Sequence, residues 1–138
     1  MPPFPRRFPP GSLFPCLIAV HLITAFQCSH PSASADSGVL SNLRFAPSAF
    51  DSFRRNAELK FTLKLPETLN IYIVRKDGGG RESRVKTLVE NARETGGSHS
   101  VSWLGDNDME FFAPAGMYFG VVEIDQQAYE TTVQVFHF

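Results

Sequence analysis

The stretch Trp103–Ile124, WLGDNDMEFFAPAGMYFGVVEI, contains the features that decide how this chain folds. It begins with the only tryptophan of the protein and continues through a loop that carries three acidic residues. It ends in an apolar run, Met117 to Ile124, which is typical of a strand in the middle of a sheet because both of its faces are apolar. The loop between the two ends is either a ligand site or a corner that joins two strands.

The segments before this stretch have the sequence period of two that β-strands require. Apolar residues alternate with polar ones, which predicts strands with one face in a core and one in water. The apolar members are Leu59, Phe61, Leu63 and Leu65 in one strand and Leu69, Ile71 and Ile73 in the next. We therefore expect Phe61, Ile71 and Ile73 to lie in the core.

Seven short strands separated by turn signals predict an all-β fold, an immunoglobulin-like β-sandwich of about seven antiparallel strands. Only residues 86–94, KTLVENARE, have some helical propensity. The strands are expected near residues 39–45, 59–65, 69–74, 84–90, 98–103, 117–124 and 129–138.

Residues 1–35 have the pattern of a secretory signal peptide. Arg6 and Arg7 precede an apolar segment, Leu13 to Phe26, and Ala33-Ser34-Ala35 offers a cleavage site. The apolar segment is shorter than the roughly 20 residues of a transmembrane helix. A non-cleaved anchor or a start codon placed too far upstream stay open as alternatives. A lipid anchor on Cys28 is disfavoured because Gln27 stands where a lipoprotein signal needs a small residue.

Cleavage after Ala35 would leave a mature domain, residues 36–138, without cysteine and without a transmembrane span. It would carry fourteen acidic and eleven basic residues, a net charge of −3. Because it has no basic stripe, we expect no nucleic-acid partner. The predicted location is secreted or periplasmic, and a cysteine-free domain there must be stabilised by its apolar core.

The acidic residues Asp106, Asp108 and Glu110 resemble the start of a calcium-binding loop in spacing alone. Phe111 stands where an EF-hand turn needs glycine, and Met117 where it needs an acid. A ligand-binding module for calcium or carbohydrate, using the Asp106–Glu110 corner with Phe111 and Phe112, is the alternative to an interaction module.

Candidate catalytic groups are isolated in the sequence. Ser98 lacks the strand-to-helix context of a nucleophile elbow. His99 and His137 have no neighbouring cysteine or histidine with metal-ligand spacing. We expect a non-catalytic protein with no cofactor and no metal.

The segments NAELKFTL, LNIYIVRKDGGGRESRVKTLV, GSHSVSWLGDND and PAGMYFGVVEI together resemble the immunoglobulin-like domain of the FlgD (flagellar hook-capping) type, found in bacterial exported proteins. The likeness covers about residues 50–125, and its most specific part runs from Trp103 to Tyr118. The matching residues are Asp77, Gly80, Val85, Leu88, Gly97, His99, Val101, Trp103, Gly105, Pro114, Gly116 and Tyr118.

The resemblance implies that Trp103 is a core anchor, that residues 106–108 belong to the corner after it, and that Tyr118 opens the strand beside it. It is a likeness of fold, which does not by itself give function. A type IX secretion sorting domain is a further alternative, although Phe136-His137-Phe138 is not followed by the short basic tail of such domains.

We expect a small exported module that works by protein–protein contact in the cell envelope, with an unidentified protein partner. An exposed strand edge offers one route, because unpaired backbone groups accept a partner strand. The last predicted strand, Tyr129 to Phe138, is the candidate edge. Its candidate contact residues are Tyr129, Thr131, Val133 and Val135.

Overall fold

The computed structural model describes residues 38–138, and the predicted signal segment, its cleavage site and Cys28 lie outside them. The described part consists of eight strands joined by turns, with no helix in it. The strands are β1 Leu40–Ala46, β2 Ala49–Asp51, β3 Ala57–Leu63, β4 Glu67–Lys76, β5 Glu82–Glu94, β6 Gly97–Trp103, β7 Gly116–Ile124 and β8 Gln127–Phe136. Within residues 38–138 there is consequently no helix of the length and apolarity needed to cross a bilayer.

The strands form two sheets, one of three strands in the order β1-β3-β6 and one of five in the order β2-β8-β7-β4-β5. Their apolar faces enclose one core, so the predicted all-β, immunoglobulin-like sandwich is confirmed. β7 lies between β8 and β4, as its two apolar faces predicted. Residues 86–94 do not form a helix despite their helical propensity. They form most of β5 and pair with β4.

Two details differ from the prediction. Residues 38–138 form eight strands instead of seven, and the additional strand, β2, pairs with β8 in parallel, so the sandwich is not wholly antiparallel. Pro47 follows β1, and proline lacks the N–H that would extend the β1–β3 ladder. The chain then crosses to the other sheet, where Phe50 lies opposite Val135.

The core contains side chains from both sheets. Apart from Leu65, those predicted from the alternating pattern, among them Phe61, Ile71 and Ile73, are buried. Leu65 does not continue the buried row: β3 ends at Leu63, the chain turns before Pro66, and the Leu65 side chain is 66% exposed. The largest fully buried side chains are Trp103, Tyr118, Tyr129 and Phe50.

The outer face of the five-stranded sheet carries a smaller apolar layer that is covered by long cationic side chains. Val121 is buried there opposite Tyr72. The Lys76 ammonium lies 4.4 Å from the centroid of the Phe119 ring, and the Arg84 guanidinium lies 4.0 Å from that of Tyr72. The aliphatic parts of such long side chains cover apolar surface while their charged groups stay in water. This face therefore presents charge to the solvent.

Candidate interaction site

Trp103 ends β6 at the centre of the core and is completely buried. Its ring makes an edge contact with Phe50 at 5.6 Å and with Tyr118 at 5.4 Å between centroids. The indole N–H donates a hydrogen bond of 2.9 Å to the backbone carbonyl of Asp106. The tryptophan therefore joins the two sheets and also fixes the start of the acidic loop.

The carboxylate of Asp106 is nearly buried and forms an ion pair with the Lys86 ammonium. Lys86 lies on β5, so this pair connects the loop to the outermost strand of the five-stranded sheet. Asn107 orders the loop from within, because its side-chain oxygen accepts the backbone N–H groups of Met109 and Phe111 at 2.9 and 3.0 Å. The loop is thus an ordered corner that is held by specific hydrogen bonds and an ion pair.

Asp108 attaches the same corner to the backbone of β5. Its side chain accepts the N–H of Thr87 at 3.0 Å, and its own N–H donates to the carbonyl of Val85 at 3.0 Å. Glu110 is exposed and belongs to neither contact. The three acids thus have separate surroundings, and residues 38–138 contain no group of three side chains that could hold a metal ion. The corner joins strands, and we do not propose a calcium site there.

Tyr118 supports the other end of the corner. It lies near the start of β7, is fully buried, and its hydroxyl donates a hydrogen bond to the carbonyl of Pro114, four residues upstream. This is the arrangement of the tyrosine corner of immunoglobulin-like domains. Burial raises the pKa of the Tyr118 phenol, and the opposing influence of the nearby Arg75 is smaller. The hydroxyl therefore keeps its proton over the neutral range and remains a donor.

Replacing Tyr118 with phenylalanine should lower the free energy of unfolding by about 1 kcal/mol, because the packing is kept while one hydrogen bond is lost. Because the folded pKa is raised above the ordinary value of 10.0, this tyrosine contributes stability that is present below pH 10 and lost as the pH rises through the folded pKa. Urea unfolding at pH 7 and pH 11 measures both effects. A variant as stable as the parent at pH 7 would contradict the role of the hydroxyl.

Exposed aromatic rings cluster at the end of the sandwich beside this corner. Phe53 packs edge-on against Phe112 at 4.7 Å between centroids and lies 4.4 Å from the His137 ring. Phe53 and Phe112 each leave 53% of their surface exposed. We call Phe53, Phe112 and His137 the aromatic patch. Two further exposed rings, Phe111 and Phe138, adjoin it in sequence.

Three separate segments hold the aromatic patch in place. The buried Asp51 accepts the N–H of Phe53 at 3.0 Å and thereby orders the turn after β2. Phe112 is fixed by a bridge to Asp106 and by the adjoining hydrogen bond from Ala113 to Gly105, 2.8 Å. His137 follows β8, whose Phe136 lies opposite Asp51. The backbone at the patch is therefore held in place by contacts within the sandwich.

The hypothesis that β8 is a free edge is wrong for the end of the strand. β8 lies between β2 and β7, and β2 covers Gln134–Phe136 but not Gln127–Val133. Of the candidate contact residues, Tyr129, Val133 and Val135 are buried, and Thr131 is half-buried. A three-residue strand is too short to show the alternation of apolar and polar residues, so the sequence of β2 could not predict this pairing.

The remaining predicted motif residues take structural positions. Gly105 is buried with a positive φ of 78°, Pro114 is exposed and provides the acceptor for Tyr118, and Gly116 starts β7. His99 stacks on Phe61 at 5.4 Å, and its Nε2 lies 2.7 Å from the Thr95 carbonyl oxygen. Phe53 is the residue that sequence reasoning missed, because it follows the unpredicted β2.

The fold and the ordered aromatic patch define an immunoglobulin-like sandwich with one apolar end. No protein-family model, curated protein or solved structure matches the chain. The resemblance to FlgD-type domains accordingly remains a resemblance of motif.

Proposed function

We propose that this chain is a small exported immunoglobulin-like module that binds another protein through the aromatic patch and has no catalytic role. The observation that carries the proposal is the contact among Phe53, Phe112 and His137, three rings from distant segments, of which the two phenylalanines are half exposed and the histidine is half-buried. Clustered exposed apolar surface is typical of interaction sites, and aromatic residues are enriched in protein interfaces.

The order of the patch adds support. The backbone that carries its rings is held by the Asp51 turn and by the Asp106–Phe112 bridge, and the Phe53 ring packs against the other two. Rigid aromatic anchors of this kind frequently supply most of the binding free energy of an interface. On the outer face of the five-stranded sheet, by contrast, the rings of Phe119 and Tyr72 lie beneath the charged side chains of Lys76 and Arg84.

The cellular setting of the proposal comes from the sequence. The secretory signal predicted for residues 1–35 and the FlgD-type likeness of residues 50–125 both favour a protein partner in the cell envelope, with the module periplasmic or secreted. A cysteine-free sandwich with a continuous apolar core suits that compartment, because it needs no disulfide.

We expect that replacing Phe53 and Phe112 together with serine will weaken capture of the envelope partner by about 30-fold or more, which corresponds to about 2 kcal/mol. The tagged protein is used to capture its partner from envelope extract, and the partner recovered is then titrated against each variant. Both rings are half exposed, so the melting temperature should change little.

Leu65→Ser is the matched control. Leu65 is as exposed as the patch residues but lies in the turn between β3 and β4. It should bind like the parent. Equal binding by the parent and the Phe53→Ser/Phe112→Ser variant would refute the patch as the binding surface, and equal loss in the Leu65 variant would show that capture depends on general hydrophobicity.

A further inference from the structure

The outer strands of a sandwich expose unpaired backbone groups, and soluble proteins protect such edges with short strands, bulges, charges or covering loops. Within residues 38–138, four strands end the two sheets: β1 and β6 in the three-stranded sheet, β2 and β5 in the five-stranded one. Comparing how each is protected shows which edge remains available to another strand.

Three of these edges carry a protecting feature. β1 is interrupted by a bulge around Asn42, whose φ is 57°. β2 has three residues, too few for an extended pairing, and the part of β8 that β2 leaves uncovered, Gln127–Val133, carries the charged Glu130. β5 is irregular in its pairing with β4, has Asn91 at a φ of 46°, and is covered by Asp108 at Val85 and Thr87.

β6 carries none of these features in the described part of the chain. Its seven residues, Gly97–Trp103, pair with β3 in an uninterrupted antiparallel register. The sequence GSHSVSW contains no lysine, acid or proline. Three serines, Ser98, Ser100 and Ser102, are exposed on one face of the strand. β6 is thus a regular edge with small neutral side chains.

We propose that β6 pairs with β6 of a second copy of this chain, antiparallel and centred on Ser100, so that two three-stranded sheets join into one of six strands. The symmetry of the strand about Ser100 favours this occupant. Ser100 lies opposite Ser100 of the second copy, Ser98 lies opposite Ser102, and His99 lies opposite Val101. No charged side chain meets one of like sign within the paired strands.

The side chains also suit the pairing chemically. Serine hydroxyls both donate and accept, so opposed serines in an antiparallel pair can form cross-strand hydrogen bonds. The ring of His99 is already held by Phe61 and by the Thr95 carbonyl, so its place beside the edge is fixed before pairing. The surface used is separate from the aromatic patch in residues and strands, and the proposal does not rest on the proposed function.

Sedimentation velocity over a range of concentrations tests the proposal on residues 36–138. The parent should show a reversible monomer–dimer equilibrium. S100K places two ammonium groups opposite each other and should weaken the dimer about tenfold or more. A mixture of S100K and S100E places opposite charges together and should form a heterodimer.

The control is Thr132→Lys, which adds the same charge to an exposed position on β8 in the other sheet. It should dimerise like the parent, and unchanged melting temperatures would show that all variants fold. Amide hydrogen exchange should additionally slow with protein concentration in β6 alone. A parent that remains monomeric at every concentration, or a dimer unaffected by S100K, would overturn the proposal. A monomeric parent whose β6 binds an added extended peptide would overturn it as well.

Discussion

Replacing Trp103 with alanine should lower the free energy of unfolding by about 3–5 kcal/mol, which is among the largest effects of a single core substitution. The side chain is fully buried between the sheets, so its removal leaves a cavity lined by Phe50 and Tyr118. It also removes the donor to the Asp106 carbonyl and so loosens the corner that covers β5. Urea unfolding followed by circular dichroism measures the loss.

Two further variants separate the contributions. Trp103→Phe keeps a ring in the core but lacks the indole N–H, so it should lose less stability than the alanine variant. It should also remain folded if the alanine variant does not fold. Leu104→Ala, at the exposed neighbouring position, should change the free energy by no more than about 0.5 kcal/mol. A Trp103→Ala protein that unfolds at the parent's urea midpoint would exclude Trp103 from the core.

The parts of the fold that sequence could predict are those in which burial and period coincide within one strand. Ile71 and Ile73 alternate with Asn70 and Tyr72, so the pattern itself names the buried face. The fully apolar run from Met117 similarly predicted a central strand, since such a run needs cover on both faces.

The contacts that sequence could not predict join residues distant in the chain. The partner of Asp106 is Lys86, twenty residues earlier, and nothing in the spacing of the acids indicates a lysine on the neighbouring strand. With three residues, β2 is too short to show the alternating pattern of a strand, so it was not predicted. Because β2 was missed, the position of Phe53 and the place of β8 between two strands were missed as well. The resemblance implied that residues 106–108 belong to a corner, whereas the contacts of this loop at the edge of β5 became visible only in the structure.

That role gives the corner a specific physical meaning. A long edge strand such as β5, thirteen residues, exposes backbone groups that invite pairing with other chains. Asp108 occupies two of them, and the Asp106–Lys86 pair holds the loop against the strand. The corner depends in turn on a close approach between Gly105 and the turn after β2, where a side chain would not fit.

Gly105→Ala should accordingly lower the free energy of unfolding by about 2–5 kcal/mol. Gly105 has a φ of 78°, which costs a residue with a Cβ about 1–2 kcal/mol. An added Cβ would also lie 2.5 Å from the Cβ of Ser52, closer than two carbons can approach. That contact involves no flexible side-chain end, so the backbone must shift, at a further cost of about 1–3 kcal/mol. Chemical denaturation measures the sum.

Gly80→Ala separates the two contributions, because Gly80 has nearly the same φ, 79°, but open space around its Cβ position. It should lose only the backbone contribution, about 1–2 kcal/mol. Adding Ser52→Gly to Gly105→Ala removes the opposing carbon and should recover part of the loss, whereas Ser52→Gly alone gives the reference for the cycle. If Gly105→Ala were no more destabilising than Gly80→Ala, the Gly105–Ser52 contact would not hold the corner, and β5 would need another source of cover.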